Sequence, residues 1–181
     1  DSDISIHFFT GNHDLWTFGY LEKEIGLKVH REPIKIELQG KKFFIGHGDG
    51  LGPGDHGYKF LKNLFTSHLC QWLFSKFLHP NTSFTIANYF SGKSRISNLE
   101  IDESFQGEEN EWLVKYSKEI LNSEHFDYFV FGHRHLPLDI KLSEKSRYIN
   151  LGEWVNYYSY GVVDQGPVSY THLRAHETYD H

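Results

Sequence analysis

Cysteine, runs of basic residues and long apolar stretches are all scarce in this chain of 181 residues. The single cysteine, Cys70, excludes an internal disulfide and fits a reducing cytoplasm. No run of Lys and Arg is long enough to form a basic stripe and the formal net charge is −6, which argues against tight nucleic-acid binding. No segment reaches the roughly 18–20 apolar residues of a membrane-spanning helix. The composition, 39% hydrophobic and 17% aromatic, predicts one globular domain with a sizeable core.

Three glycine-histidine segments, far apart in the chain, carry the strongest functional signal. They are Gly11-Asn12-His13-Asp14, Gly46-His47-Gly48-Asp49 and Gly132-His133-Arg134-His135. Each follows a run of β-branched and aromatic residues that is typical of a buried strand. Because α/β proteins place their reactive groups at the carboxyl ends of strands, we expect the three strand ends to converge. The pattern therefore predicts a metal site with the candidate ligands Asn12, His47, His133 and His135.

The types of these side chains narrow the metal, although simpler interpretations stay open. Neutral imidazoles with amide or carboxylate oxygens suit borderline divalent cations such as Mn²⁺, Fe²⁺, Co²⁺ and Zn²⁺. A histidine beside a glycine is commonly a loop residue, and Asn12 could instead hold a left-handed turn. Asp14 and Asp49 could orient imidazoles or could cap loops.

The rest of the chain alternates between strand and helix patterns. Strands are predicted at Ile4–Thr10, Lys28–His30, Ile34–Leu38, Lys41–Ile45, Tyr128–Phe131, Arg147–Asn150 and Tyr157–Val163, with a hairpin turn at Gln39-Gly40. Helices are predicted at Thr17–Ile25, Tyr58–Leu78, Ser83–Phe90 and Glu108–Leu121. The glycine-rich segment Gly46–Gly57 imitates a phosphate loop, but the Gly-Lys-Ser/Thr of a nucleotide P-loop is missing. We expect an α/β fold in which residues from about 58 to 105 form a helical insertion over the sheet.

The three segments, in this order, resemble the middle and C-terminal motifs of the calcineurin-like metallophosphoesterase superfamily: Gly-Asn-His-Asp/Glu, Gly-His and Gly-His-x-His. The superfamily's earlier motifs, Asp-x-His and Gly-Asp-x-x-Asp, have no counterpart here, so we expect an N-terminally truncated member. The resemblance implies a β-sandwich flanked by helices (α/β/β/α), incomplete at its N-terminus, over residues 1–166. Residues 167–181 resemble translated adapter sequence and are expected to form a non-native tail; a natural tail is the alternative.

The resemblance also implies roles for the candidate residues. Two divalent metal ions, with Mn²⁺ expected, would clamp a phosphate ester and lower the pKa of the attacking water. Asn12, His47 and His133 would hold one ion, and His135 would help to hold the other. His13 would contact the phosphate and act as the catalytic group that protonates the leaving oxygen.

One branch of the superfamily matches further features of the chain. The loop Gly46–Asp55, the aromatic helical insertion and the segment Asn150-Leu151-Gly152-Glu153-Trp154 together resemble the UDP-2,3-diacylglucosamine hydrolases of lipid A synthesis. Many members of that branch have Gly-Asn-Arg-Asp in the first segment, so the role of the arginine would pass to His13 here. The resemblance implies release of UMP and 2,3-diacylglucosamine 1-phosphate from a nucleotide-linked lipid. It also implies a cytoplasmic location, at the inner face of the membrane.

Several features of this hypothesis have alternatives. Lys93 and Arg95 could pair with the substrate's phosphates or could belong to an ordinary solvated turn. The apolar helix in the insertion could form an acyl groove, contact a membrane surface, or only pack on the sheet. The substrate could instead be a nucleotide or a phosphoprotein, and the chain could be a catalytically inert metal-binding fragment. The sequence carries no indication of the oligomeric state.

Overall fold

The computed structural model describes residues 4–53, 56–77, 104–164 and 168–172, with single positions at 79, 81, 82, 85 and 88. Within these residues the fold is mixed α/β, as the sequence predicts, with one five-stranded sheet, two smaller sheets and four helical segments. Lys93 and Arg95 lie outside the described residues, as does most of the predicted helix Ser83–Phe90.

The strands are short; all seven predicted strands are found, the first and last of them shorter than predicted, and two further strands were not predicted. They are β1 His7–Phe9, β2 Lys28–His30, β3 Ile34–Leu38, β4 Lys41–Gly46, β5 Tyr128–Phe131, β6 Pro137–Ser143, β7 Ser146–Leu151, β8 Ser159–Val162 and β9 Ser169–His172. The five-stranded sheet has the order β3-β4-β5-β7-β6. Its three central strands are parallel, and β3 and β6 run antiparallel at its edges. A parallel β1-β2 pair and an antiparallel β8-β9 pair form the two smaller sheets.

Local turn chemistry explains one prediction that is confirmed and one that is wrong. Gln39 and Gly40 both have positive φ, 51° and 73°, as a two-residue hairpin turn between β3 and β4 requires. The helix predicted at Thr17–Ile25 is a π-helical turn confined to Leu21–Ile25. The residues before it cannot be helical because Phe18 and Gly19 have positive φ, 48° and 74°.

The helices α1 His56–Thr66, α2 His68–Phe77 and α3 Trp112–Leu121 complete the described architecture. The single helix predicted at Tyr58–Leu78 is wrong, because the chain breaks at Ser67 into α1 and α2. The N–H of Ser67 donates to the carbonyl of Leu64 at 3.3 Å, a tightened i to i−3 bond that ends α1. Helix α3 begins at Trp112 because the residue before it, Glu111, is extended, with φ −76° and ψ 103°.

Strand β6 is the one element of the large sheet that the sequence analysis missed. Pro137 occupies its first position, where a missing N–H is tolerated at a sheet edge. Leu138, Ile140 and Leu142 alternate with polar residues, and all three pack on the core. The sequence therefore contains the alternation of apolar and polar residues that is typical of a strand, but the proline at its start argues against a strand there.

The five-stranded sheet is covered on both faces by apolar side chains. On one face α3 contributes Leu113 and Val114 to a cluster with Phe129, Phe131 and Tyr148. On the other face the buried residues are Phe43, Tyr128, Ile149 and Val168. Successive strand residues point to opposite faces, so neighbours such as Tyr128 and Phe129 serve different clusters. Whether residues 167–181 are non-native stays a prediction, although Ser169–His172 pairs with β8.

Helices α1 and α2 bury none of their residues. Large apolar side chains on them stay exposed, among them Phe60, Leu69, Trp72 and Phe77. Trp16 packs edge-on against Phe65 and Phe74, and its indole N–H donates to the carbonyl of Phe65 at 2.7 Å. None of the described helices combines the length and apolarity that crossing a membrane requires.

Candidate metal centre

The two central histidines are brought together by the pairing of β4 with β5. These strands are adjacent and parallel, with Gly46 opposite Phe131, so His47 and His133 follow neighbouring strand ends. The N–H of Gly132 donates to the carbonyl of His47 at 3.0 Å and extends the ladder beyond the strands. The two imidazole rings lie 5.3 Å apart between centroids, at an angle of 72°. The predicted convergence of the second and third segments is therefore seen.

The first segment reaches the same place from the separate β1-β2 sheet. The N–H of Thr10 donates to the carbonyl of His30 at 3.0 Å and fixes the end of β1. The next residue, Gly11, lies directly against the ring of His47: a Cβ on Gly11 would stand 2.7 Å from Cε1 and 2.8 Å from Nε2. Only glycine fits this approach without movement, and the half-buried Asn12 follows immediately.

Burial keeps both imidazoles in the form that can bind a metal. Burial, with a smaller contribution from the neighbouring His47, lowers the pKa of His133 to about 4. Burial also lowers the pKa of His47, although the carboxylates of Asp49 and Asp14 oppose it. Both rings are therefore neutral at pH 7, as a coordinating imidazole must be.

One atom of the pair is left without a natural partner. Nε2 of His47 is buried and has no hydrogen-bond partner among the residues that the structure describes. A buried polar atom left unpaired costs about 1–3 kcal/mol, which a metal ion bound at that atom would remove. The orphaned nitrogen, the neutral ring of His133 and the close backbone of Gly11 fit a divalent cation of the borderline class.

The other predicted histidines of the site do not join the close pair of His47 and His133 among the described residues. His13 and His135 are exposed. Over the described part of the chain, no three side chains of the His, Cys, Asp and Glu types stand close enough to hold a metal ion. His135 therefore does not form a ready three-histidine cluster with His47 and His133, although its charge lowers the pKa of His133.

Asp49 ties the loop that carries His47 to helix α1. Its carboxylate, with only 3% of the side chain exposed, accepts hydrogen bonds from the Tyr58 hydroxyl at 2.7 Å and the Lys62 ammonium at 2.9 Å. Burial would raise the pKa of Asp49, but the bonds from Tyr58 and Lys62 outweigh it and hold the pKa below its usual value. Both of these partners lie on α1, so within the described residues Asp49 anchors this helix rather than an imidazole ring.

The sequence analysis missed the residues around His133. The indole of Trp112 stacks on its ring, with centroids 5.6 Å apart and planes 19° apart. Arg134 and Glu111 form a buried ion pair at 3.0 Å, with 6% and 3% of their side chains exposed. The amide of Asn150 donates to the carbonyls of Arg134 and Leu136. A charged residue inside a buried motif was the available signal, because such a residue needs a partner.

Comparison with known proteins gives this geometry a context. The UDP-2,3-diacylglucosamine hydrolase of Porphyromonas gingivalis is 37% identical to this chain over 176 residues, which cover 91% of the chain and 67% of that protein. The protein of the same name from Aeromonas salmonicida is 27% identical over 167 residues, with 90% and 63% covered. That from Shewanella halifaxensis is 26% identical over 170 residues, with 94% and 69% covered.

The chain thus spans about two thirds of the length of these curated relatives. No family model matches it. The match to the Porphyromonas protein takes in nearly all of the described fold, including the strand ends that carry His47 and His133. The chain belongs to the UDP-2,3-diacylglucosamine hydrolase family, within the calcineurin-like metallophosphoesterases.

Proposed function

We propose that this protein is a metal-dependent phosphoesterase that hydrolyses the pyrophosphate of UDP-2,3-diacylglucosamine, releasing UMP and 2,3-diacylglucosamine 1-phosphate in lipid A synthesis. The observation that carries the proposal is the pair of neutral imidazoles, His47 and His133, at the ends of adjacent parallel strands. The names of the relatives supply the substrate. We place the protein in the cytoplasm, at the inner face of the membrane.

In this proposal Asn12, His47 and His133 hold one divalent ion, with Mn²⁺ expected, and His135 helps to hold a second. Bound divalent ions supply Lewis-acid stabilisation of the phosphoryl oxygens and a more acidic attacking water. His47 offers a desolvated nitrogen that has no hydrogen-bond partner among the described residues. His133 stays unprotonated down to about pH 4, so protons do not displace a cation from it at neutral pH.

The remaining chemistry falls to residues nearer the surface. His13, exposed beside Asn12, is free to meet a substrate phosphate and to give its proton to the leaving oxygen. Lys93 and Arg95 are proposed to pair with the phosphates. The exposed apolar side chains of α1 and α2 are proposed to contact the acyl chains or the membrane surface. Lys62 joins this helical unit to the loop of His47 through Asp49.

The finer architecture is also part of the proposal. We propose that the five-stranded sheet is one layer of an α/β/β/α sandwich that spans residues 1–166, with a helical insertion at about 58–105. The face opposite α3 packs against Val163 and Val168, from the β8-β9 unit, which supports a second layer there. Both faces of the sheet would then be covered by structure rather than by solvent.

Turnover of the purified chain tests the function. Mn²⁺ and UDP-2,3-diacylglucosamine are added, and UMP release is followed by chromatography. We expect release that is lost in Asn12→Ala and His47→Ala and retained in His125→Ala, which removes an exposed imidazole before β5, at the opposite end of that strand. Release that survives both ligand substitutions would disprove the assignment.

Two controls separate the alternatives. Hydrolysis of a soluble aryl phosphate exceeding that of the lipid would indicate a nucleotide or phosphoprotein substrate. Stoichiometric Mn²⁺ binding without hydrolysis of either compound would identify an inert metal-binding fragment. Each outcome rejects a different part of the proposal.

A further inference from the structure

The backbone at His133 has an unusual conformation. His133 has φ 60°, in the left-handed region that residues with a Cβ rarely occupy. The N–H of Arg134 donates to the carbonyl of Gly132 at 2.7 Å, which closes a three-residue γ-turn centred on His133. A γ-turn with positive φ is rare and strained, so the surrounding structure must hold it in place.

Four hydrogen bonds around the turn have the positions needed to hold it. The guanidinium of Arg134 donates to the carboxylate of Glu111 at 3.0 Å and to the carbonyl of Ser104 at 2.9 Å. The amide of Asn150, fully buried at the end of β7, donates to the backbone carbonyls on either side of His135. The turn is thus fixed to a neighbouring strand and to the start of α3.

The ion pair between Arg134 and Glu111 also affects the face of the His133 ring that stacks on Trp112. Glu111 immediately precedes Trp112, the first residue of α3, whose indole stacks on His133. By binding Glu111, Arg134 joins the turn that carries His133 to the helix start that carries its stacking partner. The ring is then confined between an indole and the imidazole of His47.

We propose that Glu111, Arg134 and Asn150 are positioning residues that hold His133 in its strained turn and against Trp112, so that the imidazole is presented beside His47. This role rests on the proposed metal site. The three residues need not touch metal or substrate themselves. Groups that orient metal ligands typically change metal affinity 10–100-fold when they are altered.

Glu111→Gln is the direct test, because it removes the charge with little change of shape. Asp139→Asn is its matched control: Asp139 also pairs with an arginine, Arg147, but the pair is about one third exposed and joins β6 to β7. Two measurements are made on the full chain. The first is Mn²⁺ affinity, by electron paramagnetic resonance titration.

The second measurement needs no metal: the NMR shifts of the His133 ring protons in the metal-free chain, assigned by comparison with His133→Asn. Stacking on an indole moves such protons upfield, and Trp112→Leu shows how large that displacement is. A structural role elsewhere in the protein would not affect these shifts.

We expect Glu111→Gln to abolish the upfield displacement and to weaken Mn²⁺ binding 10–100-fold, and Asp139→Asn to change neither. If Glu111→Gln keeps the displacement, the positioning role is overturned. If the wild-type chain shows the displacement, and Glu111→Gln removes it, but none of the proteins binds Mn²⁺, then positioning stands and the proposed metal site fails.

A second variant covers the case in which Glu111→Gln does not fold. Replacing both Glu111 and Arg134 by Met removes the pair without leaving a single buried charge, a change that folded proteins commonly tolerate. The double variant is expected to lose the upfield displacement of the His133 ring. Its retention in the folded double variant would overturn the inference as clearly as retention in the single variant.

Discussion

Gly11→Ala should damage the proposed metal site selectively, because the backbone of this glycine lies directly against the ring of His47. The added Cβ would lie 2.7 Å from Cε1 and 2.8 Å from Nε2 of His47. Carbon atoms pack best at about 3.5–4.0 Å, so ring and backbone must separate by roughly 1 Å. The imidazole is the end of a rotatable side chain, so we expect the ring to move rather than the β1-β2 sheet.

A movement of this size is large for a metal ligand. Metal–ligand distances are held within about 0.2 Å, so a displacement of about 1 Å would remove His47 from the proposed coordination sphere. We expect Mn²⁺ affinity to fall at least 10-fold, equivalent to about 1.4 kcal/mol. The free energy of unfolding should fall by no more than the roughly 1–3 kcal/mol that overpacking costs.

Gly132→Ala provides the matched control on the same ring. Its Cβ would lie 3.6 Å from Nδ1 of His47, an ordinary van der Waals contact. Mn²⁺ titration and urea denaturation of both variants compare a clash with a tolerated contact. Unchanged affinity in Gly11→Ala, or an equal loss in Gly132→Ala, would refute the reasoning about ring displacement.

Three further predictions concern stability. Because burial lowers the pKa of His133 from its ordinary value of 6.5 to about 4 in the folded chain, the unfolded chain binds its proton first as the pH falls. Unfolding free energy should therefore decrease from pH 6.5 towards 4, by on the order of 3 kcal/mol from this group, and less steeply in His133→Asn. Asp49→Asn leaves Lys62 without its carboxylate and should cost about 3 kcal/mol in urea denaturation, against less than about 1 kcal/mol for Asp139→Asn. Mn²⁺ at about 100 times its dissociation constant should stabilise the wild-type chain by about 2.7 kcal/mol, and His47→Ala much less.

Each of these outcomes can contradict its premise. Identical pH profiles for the wild type and His133→Asn would mean that the imidazole is not desolvated in the folded chain. Equal costs for Asp49→Asn and Asp139→Asn would mean that the Asp49 pair anchors nothing. Equal stabilisation of the wild type and His47→Ala by Mn²⁺ would place the ion elsewhere.

The meeting of His47 and His133 could be predicted from the sequence because a general rule covers it. Apolar runs identified β4 and β5, and parallel neighbours present their carboxyl ends at one edge of the sheet. The hairpin at Gln39-Gly40 was similarly local, since positive φ at both positions defines its turn. Both features depend on residues close together in sequence or on the sheet rule alone.

The break between α1 and α2 had no comparable signal. The apolar spacing of Leu61, Phe65 and Leu69 continues across Ser67, so the helical period survives where the helix does not. Ser67 is an ordinary residue without the conformational signature of glycine or proline. At the break, the carbonyl of Phe65 accepts hydrogen bonds from the side chains of Trp16 and Gln71, and the apolar spacing does not encode these contacts.

The contacts around His133 could not be predicted from the sequence for a different reason. Trp112 and His133 are 21 positions apart, and no periodicity relates a helix start to a turn after a strand. The partner of Arg134 could not be predicted either, because the chain has 24 acidic residues that could pair with it. Such pairs follow from how α3 packs on the sheet, which depends on the whole core.

The candidate site therefore depends on two kinds of contact, strand pairing and side-chain packing, that differ in the free energy needed to open them. His47 and His133 are fixed by the strand pairing of one sheet, while Asn12 arrives from the β1-β2 pair, which no strand ladder joins to that sheet within the described residues. The approach of Gly11 to His47 is a packing contact, and such contacts open at lower free energy than the central strands of a sheet. Asn12, the third proposed ligand, can consequently separate from the two histidines while the five-stranded sheet stays intact. Metal affinity, rather than global stability, is then the property that reports how the first segment docks.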